Sequence, residues 1–321
     1  FEKGGKTTEF PTAFMRHDVT ELAKFPKIGA LPVKTELIYR LSPDSHSVME
    51  FKNERDVKIA EKMLQFPLLG EKIDGVWNLV LANEFHMTND SYLFHTEPAT
   101  GRLPLYEGKM IHQFEHQFAK PRYWVDEVEG RKAVLGKKED NGQKLDYQDY
   151  RMGFRRIASS TNERTMIATI LPRKYFASES FNLSYGRNLI NGELLILVSI
   201  LNSLVLDYFL RQKVSANINM FYVYQLPIPR LTEKDSAFTP IVTRAAKLIC
   251  TTPEFDDLAK AVGLGSHKNG VTHPEERARL RAELDGMVAH LYGLTYEEFR
   301  HILGTFPIVK DEVKEAALGA Y

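Results

Sequence analysis

The sequence predicts an α+β fold: a mixed-sheet central module with a long buried helix, followed by a helical C-terminal subdomain. Three observations predict it. Two strand-like runs, 150–158 and 165–171, lie close together. An apolar run, Leu194–Leu206, holds 13 uncharged residues between Glu193 and Asp207. The remainder of the chain carries helical spacing and helix caps. The 321 residues are 43% hydrophobic and 26% charged, ordinary proportions for a globular chain of two or three modules. The expected organisation is a mixed α/β part at 1–100, a central module at 101–232 and helices at 233–321.

Taken in order, Thr35–Leu41 alternates as a strand does,. Glu54–Gln65 reads as a helix stopped by Phe66-Pro67, and Trp77–Ala82 as a second strand. Turn formers and two prolines between Phe94 and Leu105 mark a soft boundary,. Glu127–Asp149 is polar and reads as an exposed loop or hairpin around the Lys137–Gly142 turn. The apolar run extends to a helix over 191–213, with Asn191 as N-cap and Arg211 and Lys213 where a C-terminus favours cations,. A membrane span needs about 20 apolar residues, so this is expected as a core helix, with no membrane partner. Val223–Arg230 is proline-limited and extended,. Thr239–Cys250 and Pro274–Tyr292 read as helices, Gly293 as a C′ residue, and Thr295–Glu298 as a capping box,. The pair at 274–303 suits a helical hairpin or a DNA-reading helix-turn-helix.

One cysteine, Cys250, leaves no intrachain disulfide and fits a reducing, cytoplasmic location,. The chain begins at Phe1 and its first residues read as mid-domain, so a piece of a longer protein is expected.

Two patterns suggest metals. His112-Gln-Phe-Glu115-His116 matches H-x-x-E-H. On a helix its histidines share a face and could hold zinc while Glu115 activates a water. The other reading makes Ile111, Phe114 and Phe118 core residues and the histidines their polar neighbours. Pro43-Asp44 and Glu50-Phe-Lys52 outline a Mg²⁺ nuclease site,. The acids stand only six residues apart, which suits a solvated loop better than a two-strand layout.

Charge cancels over the whole chain but not locally. Between Tyr150 and Phe176 stand six basic residues (Arg151, Arg155, Arg156, Arg164, Arg173, Lys174) and one acid, Glu163. Arginine forks suit phosphates and guanine edges. Ser159, Ser160, Thr161 and Asn162 are short polar groups that suit the same surface,. Further on, Arg211, Lys213, Asn217 and Asn219 neighbour Phe221, Tyr222 and Tyr224. Basic and amide groups beside aromatics point to nucleic acid. A solvated strand edge explains the same charge.

Four ordered blocks add a resemblance: LPLYEGKMIHQFEHQF (Leu103–Phe118), DYRMGFRRIASSTNERTMIATILP (Asp149–Pro172), LLILVSILNSLVLDYFLRQKVSANINMFYVYQLPIP (Leu194–Pro229) and LDGMVAHLYGLTYEEFRHILGTFPIV (Leu284–Val309). EFHMTNDSYLF (Glu84–Phe94) leads into them. They resemble the C-terminal half of large bacterial adenine-specific DNA methyltransferases of restriction–modification and phage-defence systems, including type IIG-like fused restriction enzymes. In that family the N-terminal half holds S-adenosylmethionine and a catalytic N-P-P-Y/F, and the C-terminal half recognises the target. This chain contains no N-P-P-Y/F, D-P-P-Y/F or F-x-G-x-G. The resemblance therefore implies a non-catalytic DNA-recognition module that binds double-stranded DNA. It implies no cofactor in this chain, with S-adenosylmethionine expected only in a methyltransferase domain of the full-length protein. The candidate contacts are Lys109, Arg151, Arg155, Arg156, Asn162, Arg164, Lys213, Asn217 and Asn219. Two other readings stand beside it: a metal-dependent hydrolase (zinc at His112 and His116, or Mg²⁺ at Asp44 and Glu50), and a module that docks a partner in a defence complex.

Overall fold

The computed structural model describes residues 4–321 apart from Met15, Ser160 and Ser215. Ser160 of the basic run thus lies outside the described residues. The fold is α+β, as expected. An N-terminal hairpin pairs β1 (Glu9–Thr12) with β2 (Leu31–Lys34). The next residues, Thr35–Leu41, form helix α1 rather than the expected strand. Leu37, Ile38 and Leu41 are the buried positions, and that spacing matches a helical face better than strand alternation. Helix α2 (Glu54–Met63) starts where expected, its N-cap Asn53 accepting from the Asp56 N–H at 3.1 Å.

Two small sheets form the middle of the molecule. Of the strand expected at 77–82, only β3 (Leu81–Ala82) is paired. The other strands are β4 (Phe94–His95), β5 (Arg102–Tyr106), β6 (Tyr123–Asp126), β7 (Arg151–Arg155), β8 (Ala168–Leu171), β9 (Phe176–Ala177) and β10 (Phe181–Ser184). One sheet runs β3-β10-β7-β8, entirely antiparallel. The other runs β4-β6-β5-β9, with the last pair parallel. Both sheets draw strands from either side of residue 100. The ring of Phe181 lies across Gly153, where any Cβ would approach it to 1.8 Å. Only glycine fits there, and this close approach seats β10 on β7.

The polar stretch expected as a loop or hairpin contains helix α3 (Glu127–Leu135). Asp126 caps it, accepting from the Val128 and Glu129 N–H groups, and Gly136 ends it at positive φ. Its polarity is that of a helix with only Gly130 and Leu135 buried.

The apolar run is helical but broken. Helix α4 (Asn191–Asn202) meets α5 (Leu204–Arg211) at a 60° bend. The break has identifiable donors and acceptors. The Ser203 hydroxyl accepts from the Leu206 N–H at 3.1 Å, and Asp285 accepts from the Leu204 N–H at 2.6 Å. The Asn202 amide bonds both the N–H and the C=O of Ala168, at 3.0 and 2.9 Å, extending the ladder beside β8 with a side chain. Among the described residues no single helix is long and apolar enough to cross a membrane, and the bent pair is buried in the protein's own core.

A short helix, α6 (Met220–Tyr224), replaces the start of the expected extended segment. The segment after it is held by Arg230, whose guanidinium donates to Trp77 O, Asn78 Oδ1, Leu68 O, Leu69 O and Glu71 O. The helical part comprises α7 (Phe238–Ile249), α8 (Asp256–Ala261), α9 (Pro274–Leu291), α10 (Tyr296–Gly304) and α11 (Asp311–Gly319). Helix α4 packs on α7 and on the β8 side of the sheet, and α5 packs on α9 and α10. Gly293 turns the chain at φ +62, and Thr295 and Glu298 cap α10 reciprocally.

Candidate nucleic-acid interface

The basic run divides at β7. At its start, Arg151 points inward and is 3% exposed. It donates to Glu84 at 2.5 Å and to Tyr175 O at 2.6 Å, while the second Glu84 oxygen accepts from the Ala177 N–H. Beyond the strand, Arg164 is also buried, bonded to Asn202 O and 3.4 Å from Asp207. Lys213 donates to Leu41 O at 2.5 Å and Gln225 Oε1 at 2.9 Å, and burial lowers its pKa to about 8. These three candidates are engaged by the protein itself, Arg151 and Arg164 buried and Lys213 partly buried. A buried charge must be paired or hydrogen-bonded, and each of them is.

The end of β7 differs. Arg156 and Lys109 have exposed side chains, with Glu179 at 4.0 Å from the first and Glu107 at 3.4 Å from the second. Arg155 is half-buried. It bonds the Ile111 carbonyl and lies 5.9 Å from the centre of the Phe118 ring. The backbone holds the group together. Arg156 N–H donates to Ser180 O at 3.0 Å, Ile218 N–H donates to Arg156 O at 2.8 Å, and Gly108 N–H donates to Ser180 Oγ at 3.0 Å. Asn217 pairs with Ile157 in a one-residue antiparallel bridge. Lys109, Arg155, Arg156, Asn217 and Asn219 thus surround one strand end. Asn162 is exposed in the β7–β8 loop, its carbonyl accepting from Arg211 at 2.5 Å.

Two members of this surface were not anticipated. Ile157 is 70% and Phe118 56% exposed, large apolar groups set among cations. Ile157 falls out of the apolar alternation at Tyr150, Met152 and Phe154, and sequence alone does not show that it is left uncovered.

The H-x-x-E-H segment is not a helix. His112 and Glu115 exchange backbone bonds across a tight turn with Phe114 at φ +59. His116 lies 3.0 Å from the Tyr106 hydroxyl and 3.3 Å from the Thr252 hydroxyl, one on each ring nitrogen. His112 packs on Phe118. Burial lowers both histidines to about 4, assisted at His112 by Arg155, Arg281, Arg164 and Arg277. The helical ligand geometry for zinc is therefore not formed. Among the described residues no three His, Cys, Asp or Glu side chains gather as a metal site. Asp44, Glu50 and Lys52 are exposed on an irregular segment.

No family model matches the sequence, and no curated protein matches it. Among solved structures, the chain is similar to the type IIL restriction-modification enzyme MmeI in complex with DNA. The TM-score is 0.40 and the identity 11%, over 77% of this chain and 37% of that one. The chain thus spans little more than a third of that enzyme's length.

Chemically, the strand end offers charge-assisted donors for phosphate oxygens from Arg156 and Lys109, and paired donor and acceptor groups from two asparagine amides.

Proposed function

We propose that this chain is the target-recognition part of an adenine-specific DNA methyltransferase or restriction–modification enzyme, and that it binds double-stranded DNA through the end of β7. One observation carries the reading. Three sequence blocks that resemble the family, at 103–118, 149–172 and 194–229, meet at that single surface through the bonds of Gly108, Arg156 and Ile218. Cations there attract the duplex and fix its register, and Asn217 and Asn219 stand where base edges would be read. S-adenosylmethionine and the methyl-transfer chemistry belong to a domain outside this chain.

The test is fluorescence anisotropy with a mixed-sequence duplex across a salt series from about 50 to 200 mM. The expected result is affinity that falls steeply with salt, with a log–log slope reduced by about one for each of Arg156→Ala and Lys109→Ala. Absence of binding at the lowest salt, or binding indifferent to salt and to both substitutions, overturns the reading in favour of a protein-docking module.

A further inference from the structure

The bend at Ser203 borders a cavity of about 320 Å³. Four parts of the chain meet there: the turn at His112–Phe114, the β7–β8 loop at Arg164, the α4–α5 joint, and the facing sides of α9 and α11. Phe114, Ala282, Val309 and Val313 give it apolar walls. Two ionisable side chains reach it from α9, Arg281 and Asp285. Four residues apart, they stand on one face of that helix, about 5–6 Å from each other at Cβ.

Neither group is fully satisfied by the protein. Asp285 is more than nine-tenths buried, and among the described residues only one of its oxygens accepts a bond, from Leu204 N–H. Arg281 is partly buried and has no hydrogen-bond or ion-pair partner among the described residues. Its neighbours are engaged. Arg164 bonds Asn202 O, Arg277 bonds Leu248 O, Val271 O and Phe114 O, and Arg155 bonds Ile111 O. A partly dehydrated guanidinium and the carboxylate of a buried aspartate face one mostly apolar space, which Glu163, Arg164 and Glu312 also border, and these are the features of a ligand pocket rather than of a packing gap,.

We propose that this cavity binds a guanine base. Guanine is flat and apolar on both faces, and carries N7 and O6 on one edge and N1–H and the N2 amino group on the adjoining edge. Arginine matches the N7 and O6 acceptors, and a carboxylate matches the N1–H and N2 donors. Arg281 and Asp285 supply that order from neighbouring turns of one helix. Adenine presents an amino donor where guanine has O6, and would set it against the arginine. The base is supplied by a free nucleoside or by a nucleic acid strand. The assignment does not depend on the surface at β7.

The test is isothermal titration of the whole chain with guanosine, with adenosine, and with a short oligothymidine carrying one guanine. Guanosine is expected to bind about tenfold or more tightly than adenosine, and Asp285→Asn and Arg281→Ala are each expected to weaken it about tenfold or more. The amide introduced by Asp285→Asn still offers an oxygen to Leu204 N–H, so this variant keeps the bend, and a thermal melt confirms that both variants are folded. Arg156→Ala is expected to leave guanosine binding unchanged. Oligonucleotide binding that is tighter than guanosine binding, is weaker for an all-thymidine strand and is reduced by Arg281→Ala assigns the base to a nucleic acid strand, and equal or tighter binding of guanosine assigns it to a free nucleoside. No saturable binding of guanosine or the oligonucleotide, equal affinity for adenosine, or indifference to both α9 substitutions overturns the proposal.

Discussion

Arg151 opens β7 and Arg156 stands just past its end, yet the two do opposite things. At the start, the guanidinium is locked between Glu84 and a carbonyl, out of contact with water. Past the end, it projects from a surface shared with Lys109, Asn217 and Asn219. What separates the two arginines is burial: Glu84 meets Arg151 inside the protein, whereas Glu179 stands 4.0 Å from Arg156 at the surface.

The largest expected effect lies at the buried arginine. Arg151→Ala leaves Glu84 buried without its partner, and urea unfolding is expected to show a loss of about 3–5 kcal/mol. Arg156→Ala is expected to stay within about 0.5 kcal/mol of the parent, as surface substitutions do. Equal losses at the two positions would show that the division at β7 is wrong.

A smaller effect concerns a buried charge without a close partner. Burial raises Asp285 from 3.8 to about 6, against the pull of Arg164 and Arg281, with Asp207 adding to the rise. The folded state therefore holds a proton that the unfolded chain releases at lower pH. That contribution to stability is full below about pH 4 and is lost as pH rises through about 6, by on the order of 2–3 kcal/mol. Asp285→Asn is expected to flatten this part of the stability–pH profile. A profile identical to that of the parent would mean that Asp285 is already ionised in acid.

The smallest effect sits at the exposed end. Arg156→Ala is expected to weaken duplex binding by about 1 kcal/mol at low salt, uniformly across sequences, as loss of a phosphate contact does. Asn217→Ala should instead change which sequences are preferred, measured by competition between duplexes. A uniform loss from both would make the asparagines phosphate contacts as well.

What can be read from sequence follows the range of the forces involved. The capping box at Thr295, the turn at Gly293, helix α2 and strands β7 and β8 are set by neighbours a few residues away, and these are legible. Thr35–Leu41 is short enough that strand and helix spacings nearly coincide, and only its packing decides. The break at Ser203 needs Asp285, a residue on another helix. Arg151 reads as a DNA contact because Glu84 lies 67 residues away. In the same way, H-x-x-E-H is a metal motif only on a helix, and the Phe114 turn removes that condition. Lys109, Arg155, Arg156, Asn217 and Asn219 are found as residue types, but their meeting at one strand end is not visible before the fold.

The contact between Gly153 and the Phe181 ring carries a consequence for how this chain can drift in sequence. Neither position can change alone: a side chain at 153 has no room while the ring is present, and loss of the ring leaves a hole that glycine cannot fill. Descendants of this chain should therefore inherit the two as a single unit, or exchange them together, with the bulky partner passing from one strand to the other.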